Sequence, residues 1–91
     1  MKFMVIEQFP DSGPGPAYER MASTGRGLPD GVGFVDSWVE VGLGRCFQLM
    51  EADSAEDLQK WVHHWTGLGI RFEVVPVVSG KDTGRLYEAG L

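Results

Sequence analysis

The sequence predicts an α+β domain with the element order β-α-β-β-α-β, and three observations carry that prediction. Four short segments are rich in β-branched and aromatic residues and bounded by Gly, Pro or polar turns. One segment repeats its apolar residues at helical spacing. The 91 residues leave room for a single domain, and 43% hydrophobic with 23% charged residues is the composition of a chain that folds.

The first strand is expected over residues 2–9, KFMVIEQF, which stop at Pro10. The run PDSGPGP that follows is a loop. Residues 16–25, PAYERMASTG, predict a short helix with Pro16 at its first position, where a missing N–H costs nothing. GRGLPDG is a turn. Residues 32–41 alternate as a strand, Gly42-Leu43-Gly44 connects tightly, and residues 45–52, RCFQLMEA, return as its hairpin partner. Ser54 is the predicted N-cap of a helix over 55–67, with Asp57 three residues on. Leu58, Trp61, Val62, Trp65 and Leu68 make its apolar stripe. Residues 70–79 predict the last strand, and Pro76, which cannot donate to a ladder, places it at an edge or a bulge. Residues 1–79 therefore form the domain and residues 80–91 read as a C-terminal tail. This order is the ferredoxin-like plan, a four-stranded antiparallel sheet with helices on one face.

Thirteen acidic residues against eight basic ones give a net charge of -5, and the basic residues are scattered. Phosphate recognition relies on clustered Lys and Arg, so nucleic acid is not an expected partner. No stretch approaches the roughly 18 apolar residues of a membrane span, so no membrane partner is expected either. The single cysteine, Cys46, excludes an intrachain disulfide and suits a reducing cytoplasm.

Side chains alternate along a strand, so each strand offers two sets. Met4, Ile6, Val35, Val39, Phe47, Leu49, Phe72 and Val74 suit a face under the helices. The opposite set is then Phe3, Val5 and Glu7, Phe34, Asp36 and Trp38, Cys46, Gln48 and Met50, and Glu73, Val75 and Val77. One protomer leaves that second face open. An exposed apolar patch marks an interface, and two protomers packed sheet to sheet would close it as a homodimer.

FMVIE (residues 3–7), DSWVE (36–40), GRCFQLME (44–51), the Trp61/Trp65 helix and FEVVPV (72–77) together resemble a family of small bacterial proteins of unknown function in the dimeric α+β barrel superfamily. The resemblance implies a homodimer whose sheets enclose a pocket, and it implies no established reaction. Cofactor-free monooxygenases, haem-degrading enzymes, isomerases, cyclases and ligand sensors share that superfamily, and fold alone does not choose among them.

The open face supplies the candidate site. Glu7 and Glu73 are the candidate catalytic acid and base, because carboxyls in a partly apolar cavity titrate near neutral pH. Asp36, Trp38, Gln48, Met50 and Cys46 are the candidate ligand-binding residues. Trp38 would stack a planar molecule, and Gln48 and Asp36 would orient its polar groups. Cys46 also reads as a small buried apolar residue, since no Cys-His pair accompanies it. His63 and His64 point about 100° apart on one helix and cannot pair on a metal as i,i+4 residues do. No dinucleotide or phosphate-loop motif occurs, so no cofactor and no metal is expected. The residues leave open whether the protein is an enzyme of the cofactor-independent isomerase, cyclase or monooxygenase kind, or a non-catalytic ligand-binding or interaction module. A carboxylate left unpaired in a cavity favours the first reading; carboxylates all paired with Arg45, Arg71 or backbone donors favour the second. A metal-assisted oxygenase would need the carboxylates of the first and last strands to converge.

Overall fold

A computed structural model describes residues 1–88 and 90. Its elements are β1 (Lys2–Gln8), α1 (Gly15–Thr24), β2 (Val32–Val39), β3 (Arg45–Ala52), α2 (Ala55–His64), β4 (Arg71–Val77) and α3 (Gly80–Glu88). The four strands form one antiparallel sheet in the order β2-β3-β1-β4, as the ferredoxin-like plan requires. β4 is an edge strand, which is where Pro76 is tolerated.

Both helix starts follow from local chemistry. Proline stands in the first turn of α1. Ser54 caps α2, its side chain accepting the Asp57 backbone N–H at 3.1 Å. Arg20 on α1 donates to the carbonyls of His64 and Thr66 at 3.0 and 3.1 Å. That bond ties α1 to the C-terminal end of α2, where free carbonyls favour a cation.

The core is Phe3, Val5, Met50 and Ala52 from the sheet against Leu58, Trp61 and Trp65. Burying an indole as fully as that of Trp61, which is 1% exposed, contributes on the order of 4 kcal/mol.

The faces of β1 and β3 are the reverse of the sequence expectation. Phe3, Val5 and Glu7 lie directly opposite Met50, Gln48 and Cys46, and all six are buried. These residues face the helices, while Met4, Ile6, Phe47 and Leu49 lie half-buried on the open side. β4 keeps the expected sides, since Phe72 and Val74 pair with Glu7 and Val5. On β2 a bulge between Phe34 and Asp36 breaks the alternation. It puts Phe34 under the helices opposite Met50, leaves Asp36 and Trp38 on the open side, and exposes Val35.

Residues 80–88 are helical, although their polar sequence reads as a tail. Ser79 accepts the Asp82 backbone N–H at 3.0 Å, and Arg85 pairs with Asp82 at 2.9 Å. These are local contacts that nucleate a helix without burial. α3 buries none of its residues and leaves Leu86 and Tyr87 exposed. The radius of gyration, 14.9 Å, exceeds the roughly 12 Å of a compact chain of this length.

The loop between α1 and β2 is fastened by a single acceptor. The backbone carbonyl of Arg26 receives the indole N–H of Trp61 at 2.9 Å and that of Trp65 at 3.0 Å. Trp61→Phe or Trp65→Phe alone leaves one indole on this carbonyl, whereas the double variant leaves none. In a double-mutant cycle read by chemical denaturation, the double variant is expected to lose about 1 kcal/mol more than the sum of the single losses. Strictly additive losses would show that the shared acceptor carries no weight.

Candidate functional site

The candidate residues divide between the two sides of the sheet. Glu7, Cys46, Gln48 and Met50 face the helices, and Asp36, Trp38 and Glu73 face the open side. Register decides this, because each strand position has a fixed side and neighbouring strands share it. Glu7 and Glu73 therefore cannot act on one molecule, nor can they converge on a metal. Among the described residues, no group of three His, Cys, Asp or Glu side chains comes close enough to hold a metal ion.

The helix side contains a half-open cavity of about 80 Å³. Its floor is the sheet, with Glu7 from β1, Ser37 from β2, and Cys46 and Gln48 from β3. Ala17, Tyr18 and Met21 of α1 form one wall, Trp61 and Trp65 form the back, and Phe9 and Arg26 complete the rim. Met50 lies beneath Gln48, whose amide N–H reaches the Met50 sulfur at 3.4 Å.

Glu7 is the chemically unusual member. It is 9% exposed and accepts no hydrogen bond from any described residue. Burial pushes its carboxyl up to about 7, and the nearby positive charge of Arg26 opposes the rise. The group thus divides between acid and carboxylate at neutral pH. Cys46 lies opposite Glu7 in the ladder, and burial together with the Glu7 charge pushes its thiol up to about 11. At neutral pH it is an uncharged thiol and a weak nucleophile. Arg45 does not assist it, because its guanidinium is held by Glu40 at 2.7 and 3.0 Å.

Sequence reasoning missed Arg26, Ser37, Phe9 and Tyr18. Arg26 carried a signal in hindsight: it stands between Gly25 and Gly27, whose φ angles are +68° and +66°. Gly27 has a second reason to be glycine, since a Cβ there would overlap the His64 ring. His64 is consequently packed against this loop with its Nε2 unpartnered, and His63 is exposed. Neither lines the cavity.

On the open side, Asp36, Trp38 and Glu73 surround the half-buried Met4, Ile6, Phe47 and Leu49. Trp38 is 52% exposed. This surface carries apolar side chains flanked by charges, and Glu73 lines a depression of about 330 Å³ there with Ile6, Gln8, Arg45 and Arg71.

The fold and cavity together define a ferredoxin-like α+β protein with a small helix-side pocket. The chain belongs to the family described as Domain of unknown function (DUF3303), which matches residues 1–91. No curated protein and no solved structure matches the chain. No helix among the described residues is long and apolar enough to cross a membrane.

The raised carboxyl has a measurable consequence for stability. In the unfolded chain Glu7 releases its proton near 4.5, and in the folded chain near 7. Between these values the folded state binds the extra proton, so stability is highest below the window and falls as pH rises through it. The fall attributable to Glu7 is on the order of 3 kcal/mol. Glu7→Gln should lack this slope, with urea denaturation finding it about 3 kcal/mol more stable than the wild type near pH 8 and close to it near pH 4. Parallel pH profiles for the two proteins would refute the assignment.

Proposed function

We propose that the protein binds a compact, largely apolar molecule in the cavity between sheet and helices, and that Glu7 moves a proton on that molecule without a cofactor. The observation that carries this reading is the Glu7 carboxyl itself, buried in a cavity with no partner among the described residues. A carboxyl that divides between its two forms near neutral pH can both take and return a proton. An isomerisation suits it: the acid form gives its proton to one end of a substrate double bond, the resulting carboxylate removes a proton from a neighbouring carbon, and that C–H electron pair forms the shifted double bond, which leaves Glu7 protonated again. Such a step balances within the substrate and the protein. A cavity of about 80 Å³ holds roughly three waters and is about half the ~150 Å³ that encloses a benzene ring, so a single ring would sit partly in the half-open mouth and a fused-ring system is disfavoured.

A non-catalytic binding module is the competing reading. It would be favoured by cavity carboxylates paired with arginine or backbone donors, and Glu7 is not so paired. Glu73 and Asp36 are outside the cavity and have no place in this chemistry.

The open face supports a homodimer of the dimeric α+β barrel kind, in which Trp38, Asp36 and Glu73 are interface residues. The accessible surface, 6024 Å², is about 800 Å² larger than that of a compact monomer of this mass. Part of that excess comes from α3, which buries none of its residues. The free thiol of Cys46 suits a reducing compartment such as the cytoplasm.

Because Trp61 and Trp65 form the back of the cavity, their fluorescence reads its occupancy. A panel of one-ring compounds titrated against the protein should include members that shift this emission, and Ala17→Phe, which fills the cavity from α1, should abolish the response. Glu7→Gln should keep the response and lose exchange of substrate hydrogen with solvent deuterium. An Ala17→Phe variant that still binds would move the site elsewhere. Light scattering should give twice the chain mass for the wild type and the chain mass for Trp38→Glu; a wild-type monomer would refute the dimer.

A further inference from the structure

We propose that Arg26 is an anion-recognition residue and that the cavity accordingly takes a compact monoanion, a carboxylate on a small apolar body, in preference to a neutral or cationic molecule. This inference deepens the cavity reading above and rests on it.

Three features of the structure point to Arg26. Its backbone is fixed, because both indoles of α2 donate to its carbonyl and the flanking glycines supply the positive φ angles that turn the chain there. Its side chain is placed, because the guanidinium carbon lies 3.4 Å from the centroid of the Phe34 ring. Stacking occupies the face of the guanidinium and leaves its in-plane N–H groups free. Finally, those donors are unused. Arg26 forms no side-chain hydrogen bond and no ion pair with any described residue, although it lines the same cavity as Glu7. Two other arginines of the chain are engaged: Arg45 binds Glu40, and Arg20 binds the end of α2. A half-buried arginine with a fixed backbone, a stacked face and free donors is built to receive a carboxylate.

The remaining polar groups agree with that charge. Ser37 and the Gln48 amide can both donate at the floor. The charged and titratable groups facing Glu7 are Arg26 from the loop, Cys46 from β3 and Tyr18 from α1, while β4 presents Phe72. Arg26 is the only cation among them. With Glu7 ionised the carboxylate balances Arg26; a bound monoanion takes over that role, and Glu7 then carries a proton. Anion binding and proton uptake are thus coupled.

Benzoate, benzamide and benzylamine are nearly the same size and differ in charge, so calorimetric titration of each into the full chain separates charge from fit. Benzoate is expected to bind at least about tenfold more tightly than benzamide near pH 6, with benzylamine weakest. Its affinity should fall about tenfold for each pH unit above about 7, with proton uptake seen as a dependence of the heat on buffer ionisation. Arg26→Gln should remove the preference for benzoate, and Arg26→Lys should keep part of it. Equal binding of benzoate and benzamide by the wild type, or an undiminished preference in a folded Arg26→Gln variant, overturns the assignment and leaves the cavity reading standing. Binding of none of the three overturns both.

Discussion

One carbonyl oxygen holds the helix side of this molecule together. Two indoles four residues apart, Trp61 on α2 and Trp65 at its C-cap, converge on the backbone of Arg26. A buried Trp needs a partner for its N–H, and here one acceptor serves both. The consequence runs in two directions. It pins the loop between α1 and β2 to the core, and it aims the Arg26 side chain along Phe34 toward the cavity. Gly25 and Gly27 make the geometry accessible, and Gly27 lets the His64 ring close against the loop. α1 buries none of its residues, so it depends on this loop, on the Arg20 bonds to the end of α2 and on the packing of Met21 against the core.

A chain of 91 residues has little apolar burial to spare, yet two polar side chains and a thiol stand on the helix face of its central strands. Glu7, Cys46 and Gln48 occupy positions where Val, Leu or Ile would pack and stabilise. The ionised form of Glu7 is penalised by burial, and the positive charge of Arg26 offsets only part of that penalty. Departures from the rule that buried polar groups are paired concentrate at functional sites, where stability is given up for chemistry. The cluster lies under α1, which walls the cavity although it buries none of its own residues.

Much of the fold was legible in the residues, because periodicity and turn chemistry act locally. The four strands, the Ser54 cap and the edge position of Pro76 follow from such signals. The sides of β1 and β3 were not legible. Both strands alternate between two sets that are each largely apolar, so hydrophobicity could not orient them, and placing Glu7 and Gln48 away from the helices followed a preference that the site violates. The bulge in β2 depends on pairing with β3 and has no local signature. α3 forms through contacts of Ser79, Asp82 and Arg85 within a polar segment that lacks a buried stripe. Of the site, Glu7 and Gln48 were recognisable by residue type. Arg26 was not, because its role comes from a bond between its carbonyl and residues 35 and 39 positions away.

The sheet is a shared wall between two environments. In β3, Cys46 and Gln48 face the cavity while Phe47 and Leu49, the residues between and after them, face the open side. Covering the open side with a second protomer would therefore immobilise the strands that carry the cavity floor, without contributing any atom to it. The bulge at Phe34 serves both sides at once. It turns Phe34 inward to carry the Arg26 guanidinium and leaves Asp36 and Trp38 outward on the open side. A shift of one residue in that register would exchange the two roles, removing the platform for Arg26 and burying a carboxylate in its place. The same pairing of β2 with β3 that fixes the proposed interface thus also fixes the charge balance of the cavity.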